Sequence, residues 1–349
     1  MKQPWIKSPR FDGLYVLAPP FVALLIVLLL PDRFKTTDEM PVVGWVALVL
    51  LIDVAHVYST LFRTYFNKAR FQRQRILYLT VPLLCYVAGV LLHSAGSLWF
   101  WRCLAYLAVF HFVRQQYGFM RIYSRTETRP GWSASLDTCV IYAATLYPIL
   151  WWHLTPDRHF NWFVDGDFVQ GDVTALKSLA AVLYGLVLSA YVLKECWLYT
   201  RTRWFNWPRN LLIAGTGVSW YFGIIWFNGD LAFTMLNVVS HGIPYMALIW
   251  ISDRTNVAYA NHTPGRFLAL ITRRTWIVFV GVLIILAYLE EGLWDGFIWR
   301  EHKTVFGWFQ ILPAITDQQI LALLVPLLAL PQMTHYVLDG FIWRRNQTT

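Results

Sequence analysis

Four of the nine histidines lie in stretches that are otherwise apolar, and each has a polar companion three or four residues away. His335 and Asp339 are spaced this way in PQMTHYVLDGFIWR (331–344), with Gln332 one turn earlier. His56 follows Asp53, His111 precedes Arg114 and Gln115, and His241 lies between Asn237 and Tyr245. On a helix such spacings put both members of each set on one face. A metal-ligating imidazole donates its second N–H to a carboxylate or amide, which fixes its tautomer, and these companions are the groups that can accept it. The plainer alternative is a set of polar contacts pinning membrane helices together.

The elements that must position these residues are membrane helices. Of 349 residues, 57% are hydrophobic and only 14% charged, which excludes an ordinary soluble globule. The abundant Trp and Tyr suit the two interfaces of a bilayer. The formal charge of +9 is spread over short loops and forms no arm or groove, so nucleic acid is excluded as a partner. Cys85, Cys103, Cys139 and Cys196 have no CxxC spacing and read as apolar-face residues without a redox or zinc role. The apolar run after Lys2, Lys7 and Arg10 is followed by no small-residue cleavage site and reads as a retained helix.

The sequence predicts an all-α polytopic integral membrane protein, one bundle of about ten spans in a single domain. They fall at 14–30, 41–62, 76–96, 97–118, 136–154, 175–199, 209–227, 230–251, 274–293 and 317–342. The piece 304–315 is too short to span and reads as interfacial or re-entrant. Basic residues choose the sides. Roughly twenty, including Arg63–Arg75 (RTYFNKARFQRQR), Arg121, Arg125, Arg129, Arg201, Arg203, Arg209, Arg254, Arg266, Arg273, Arg274, Arg344 and Arg345, fall on one side, against about five on the other. This predicts an inner (plasma) membrane protein with both termini cytoplasmic. The second, fourth, eighth and tenth helices then run inward, and His56, His111, His241 and His335 share one depth in the cytoplasmic half. His93, His153, His159 and His302 fall at the outer side, and His262 in a cytoplasmic loop.

A histidine layer at one depth is what a metal site in a bundle requires. Four imidazoles suit iron, copper or zinc. The HxxxH and HxxHH boxes of membrane desaturases and hydroxylases are missing, as is the HExxH of zinc proteases. In this reading His56, His111, His241 and His335 are the metal ligands, and Asp53 and Asp339 orient them or carry protons. Arg114 anchors an anionic headgroup, while Gln115, Asn237 and Tyr245 hold the bound group; Lys194 and Glu195 are candidates for a further ligand. Pro244 and Pro331 kink the helices beside His241 and His335.

The function expected is a non-haem iron oxidoreductase, an oxygenase, hydroxylase or desaturase acting on a lipid or isoprenoid from the cytoplasmic leaflet, with a redox partner on that side. Two alternatives stay open: a haem-binding electron-transfer protein, with Arg63, Arg114 or Arg121 on the propionates, and a proton-coupled transporter using the Asp/His layer. The hexapeptide DGFIWR occurs at both Asp295–Arg300 and Asp339–Arg344. Oligomeric state is not legible.

Overall fold

The computed structural model describes residues 2–128, 130–259 and 276–343, and among these every regular element is a helix. His262, Arg129, Arg266, Arg273, Arg274, Arg344, Arg345 and the side chain of Arg254 lie outside the described residues. Each predicted segment has a helical counterpart: α1 (Pro9–Leu17 and Pro19–Leu29), α2 (Val42–Arg63), α3 (Arg75–Ala95), α4 (Ser97–Tyr123), α5 (Gly131–His153), α6 (Thr174–Thr202), α7 (Trp207–Trp220, continued by Tyr221–Trp226), α8 (Asp230–Tyr259), α9 (Trp276–Trp299) and α10 (Gln318–Leu328 and Leu330–Ile342).

Six of these are long and apolar enough to cross a membrane, and the count reaches eight if α1 and α10, bent by 48° and 44°, are each one span. The expected ten is not reached. α4 is long enough but carries Arg102, His111, Arg114, Gln115, Gln116 and Arg121, and α7 has only fourteen α-helical residues, with Arg209 and Asn210 in its first turn. Segment 304–316 does not span either. It folds against the end of α9, where Phe309 packs so closely on Gly292 that a Cβ there would sit 2.4 Å from the ring.

Packing divides the chain into two units, Met1–Met40 with Phe112–Pro244 and Pro41–His111 with Tyr245–Thr349, and the boundary falls inside the continuous helices α4 and α8. In the first unit α7 packs on α1 and α5, and α5 on α6. The turn before α8 passes so near residues 34–36 that a Cβ on Gly229 would lie 2.5 Å from the Lys35 carbonyl carbon. Only glycine fits there, and the approach lets Asn228 N–H donate to Lys35 O (2.9 Å) and Asp230 N–H to Thr37 O (3.0 Å). In the second unit α10 packs on α2 and α3, and α2 on α9. Leu50, Val54, Phe62, Tyr245, Phe279 and Leu283 form part of its buried core.

Candidate metal centre

His56 stands two residues beyond a nine-residue π-helical stretch, Val46–Val54, that contains Asp53. A π-helix turns less per residue than an α-helix, so the first half of α2 presents its side chains in a register that α-periodicity does not anticipate. His335 stands one turn after the bend of α10, where Ala329 ends the first piece and Pro331 occupies the first turn of the second. His111 lies on α4 and His241 on α8, one turn before Tyr245. All four histidines are at most 2% exposed.

The hydrogen bonds around His335 decide where its proton sits. The Tyr245 hydroxyl donates to Asp339 Oδ1 (2.9 Å), because a carboxylate only accepts. With its proton so committed, Tyr245 can only accept from Thr60 Oγ1 at 3.0 Å. Thr60 has one proton, now spent on Tyr245, so its 2.6 Å contact with His335 Nδ1 must be a bond donated by the imidazole. His335 is therefore the Nδ1–H tautomer, and its Nε2 carries a lone pair.

His111 Nδ1 lies 3.3 Å from Asp339 Oδ2. The two Nε2 atoms face each other at 3.1 Å. With the His111 proton on Nε2 this contact is an N–H···N hydrogen bond donated to His335; with it on Nδ1, facing the carboxylate, two lone pairs meet and repel unless a cation lies with them.

His56 completes the group in this unit, its ring 5.0 Å from that of His335 and its Nδ1 3.7 Å from Asp53 Oδ1. Each of His56, His111 and His335 offers a ring nitrogen, and these nitrogens lie within 4.8 Å of one another; His241, the fourth histidine of the set, belongs to the first unit. Ligands about 2.0–2.1 Å from one ion and 90–109° apart are about 2.9–3.4 Å from each other, which the 3.1 Å separation fits. The donor set, buried imidazoles backed by Thr60, Asp339 and Asp53, suits a first-row metal ion.

Residues near the centre have distinct tasks. Gln115 donates to the carbonyl of His241 (2.9 Å), not to its ring, and the His241 ring stacks on Phe112 with centroids 3.5 Å apart. Pro244 removes the helical donor to the Ser240 carbonyl, and Gln116 Nε2 reaches that oxygen at 3.5 Å. Asn237 donates to its own helix at Phe233 O (2.9 Å) and packs against Gly223. Arg114 is exposed and donates to the Tyr142 hydroxyl (2.7 Å) while lying over Tyr117.

Arg63 does not wait for an anionic group. It donates to the Ile342 carbonyl at the end of α10 (3.1 Å) and to Ser252 Oγ (2.9 Å), and lies 3.9 Å above Trp343, whose Nε1–H donates to Asp339 Oδ1 (2.6 Å). Sequence reasoning gave neither Thr60 nor Trp343 a task. Both are a helical turn from a named site residue, which was the available signal.

Lys194 and Glu195 belong to a different cluster. In the first unit Lys194 pairs with the fully buried Asp137 and with Glu195 (2.5 Å), and Arg209 pairs with Glu127 (2.5 Å), Asp137 (3.3 Å) and Glu195. The two DGFIWR copies also diverge: Asp295 accepts from the N–H groups of Glu301 and His302 (both 2.8 Å) and from Gln310 (2.6 Å), a loop-fixing task unlike that of Asp339. No protein-family model, curated protein or solved structure matches the chain.

Proposed function

We propose that this is an integral membrane metal enzyme in which His56, His111, His241 and His335 hold one first-row ion, iron foremost, and which oxidises or desaturates a lipid or isoprenoid from the cytoplasmic leaflet. The observation that carries the reading is the two buried Nε2 atoms facing each other at 3.1 Å, that of His335 fixed as a lone pair through Thr60 and that of His111 on a ring backed by Asp339. Bound iron would supply one-electron and dioxygen chemistry. The protein's own part is to hold the imidazoles in the ligating tautomer through Thr60, Tyr245 and Asp339, and to keep water out with a buried surround.

A bare ion suits the geometry better than haem. Axial nitrogens on opposite faces of a macrocycle are about 4 Å apart at the usual metal–imidazole distance of about 2.0 Å. The 3.1 Å gap between His111 and His335 leaves no slot for the ring between that pair. Loop charge supports a plasma-membrane orientation with both termini in the cytoplasm, where a redox partner would dock.

Elemental analysis and an optical spectrum of the purified full-length protein test the reading. About one ion per chain without a Soret band is expected. A Soret band would establish the haem alternative, and no stoichiometric metal would leave the Asp/His layer to transport.

A further inference from the structure

In the second unit an apolar crevice of about 290 Å³ runs along α3, lined by Val81, Cys85 and Leu92 of that helix, by Leu104 and Leu107 of α4, and by Met333 of α10 among others. Val81 to Leu92 is eleven residues, about 17 Å of helix, close to the roughly 15 Å depth of one leaflet's hydrocarbon. The flank of α3 beside it is lipid-like, with Leu84 and Leu91 about two-thirds exposed (64% and 67%). Of its lining, Leu107 stands one turn before His111 on the same face of α4, while Met333 and Val337, two residues either side of His335, lie on the opposite face of α10.

The end of α3 nearest Arg63 carries the opposite chemistry. Between α2 and α3 lie Arg63, Lys68, Arg70, Arg73 and Arg75, and the chain has no Asp or Glu from residue 54 to residue 126. Lys68, Arg73 and Arg75 are exposed. The turn is fixed in place: Asn67 caps the short helix Lys68–Arg73, and the rings of Tyr65, Phe71 and Tyr78 pack together. Pro82 deprives the Tyr78 carbonyl of its helical donor, and the Tyr65 hydroxyl fills that position at 2.7 Å. A rigid basic turn thus stands about 9 Å of helix from the mouth of the crevice, the six residues from Arg75 to Val81.

From this juxtaposition we infer that the crevice and the basic turn form one site for an anionic membrane lipid, with the headgroup at Lys68, Arg73 and Arg75 and one acyl or isoprenoid chain in the crevice. A neutral lipid would fill the crevice but make no use of the exposed charges of Lys68 and Arg75 at its end, and a soluble anion would use the turn but not the crevice. As the substrate's seat, the site rests on the metal reading above; as a lipid site it stands without it.

The test reconstitutes the full-length protein in bilayers with spin-labelled phosphatidylglycerol or spin-labelled phosphatidylcholine of the same chains. The motionally restricted fraction is expected to favour phosphatidylglycerol by at least about fivefold, the contribution of one well-placed basic residue. Lys68→Gln/Arg73→Gln/Arg75→Gln should abolish that preference and leave total restricted lipid nearly unchanged. Ala88→Phe, which fills the crevice from a lipid-exposed position, should remove about one restricted lipid per chain. Equal restriction of the two lipids, or an Ala88→Phe variant with undiminished restricted lipid, would overturn the inference. Metal content measured on the same samples keeps the two claims apart, since selective lipid with no metal sinks only the enzyme reading and metal without lipid selectivity sinks only the lipid site.

Discussion

Thr60→Val is the sharpest perturbation of the centre, because it removes one hydroxyl and keeps nearly the same shape. In the native arrangement Thr60 accepts from His335 Nδ1 at 2.6 Å and donates to Tyr245 at 3.0 Å. Valine leaves the Nδ1–H of a buried ring without an acceptor, at a cost of about 1–3 kcal/mol. The ring escapes that cost by carrying its proton on Nε2 instead, where it donates to His111 Nε2 across the 3.1 Å gap. Both inner nitrogens are then occupied, one by a proton and one by accepting it.

A metal must reverse the shift before it binds, so affinity should fall by the same about 1–3 kcal/mol, roughly 10–100-fold. Thr60→Ser keeps the hydroxyl and should bind within about threefold of the native protein. Thr60→Val/Tyr245→Phe should be no weaker than Thr60→Val, since both act through one chain of hydrogen bonds. Competitive chelator titration of each purified variant measures the affinities, and thermal melting confirms that each is folded. Native affinity in Thr60→Val, or equal losses in the Ser and Val variants, would refute the tautomer argument.

Other outcomes follow from the same structure. His56→Ala, His111→Ala, His241→Ala and His335→Ala should each strip the metal, with pairs scarcely worse than singles by elemental analysis, whereas Arg114→Ala and His153→Ala should retain it. Lys194→Met should lower stability by about 3–5 kcal/mol in thermal or denaturant unfolding, because it leaves the buried carboxylate of Asp137 short of a cation, and it should not change the metal content of the folded fraction. Asp167, in the loop between α5 and α6, has its carboxyl pushed up to about 6, chiefly by burial and against the N–H groups of Phe163 and Val164 that favour the charged form. A raised carboxyl value means the folded state holds its proton longer than the unfolded chain, so stability is lost as pH rises from about 4 through 6. Asp167→Asn should therefore match the native protein below pH about 4 and exceed it in unfolding midpoint above pH about 6.

The histidine layer was legible in the sequence because polar groups at membrane depth are rare enough to be conspicuous, and His335 with Asp339 needed only helical spacing to be seen as a unit. What joins them was less legible. Thr60 is a common residue on a membrane helix, and its task depends on Tyr245, 185 residues away, and His335, 275 residues away. The π-stretch before His56 has no composition signal, since Val46–Val54 reads as ordinary apolar helix. Arg114 shares a face with His111 by spacing, yet a long side chain at the helix edge is free to turn outward, and it meets Tyr142 instead. Ten spans are not confirmed among the described residues for a related reason: α4 and α7 are helices, but a run that holds several charges is not apolar enough to be read as a span.

A metal ion and a single shared proton make different demands on the space between the Nε2 atoms, and charge balance separates the two. Asp339 lies 3.3 Å from His111 and Asp53 lies 3.7 Å from His56, so a carboxylate stands just behind each of these rings. A net charge in a low-dielectric site is costly. One proton would leave two carboxylates in excess of it by one charge; a divalent ion is matched by them. The side chain of Asp53 is 33% exposed, so its share is screened, and Asp339, 8% exposed, carries more of the balance. Asp339→Asn should therefore weaken a divalent ion by roughly 10–100-fold and Asp53→Asn by less. With both carboxylates neutralised, the site should shift its preference toward monovalent copper(I) over divalent ions. Chelator competition with each ion measures that ratio, and an unchanged ratio in Asp53→Asn/Asp339→Asn would show that the carboxylates orient the rings without balancing the charge.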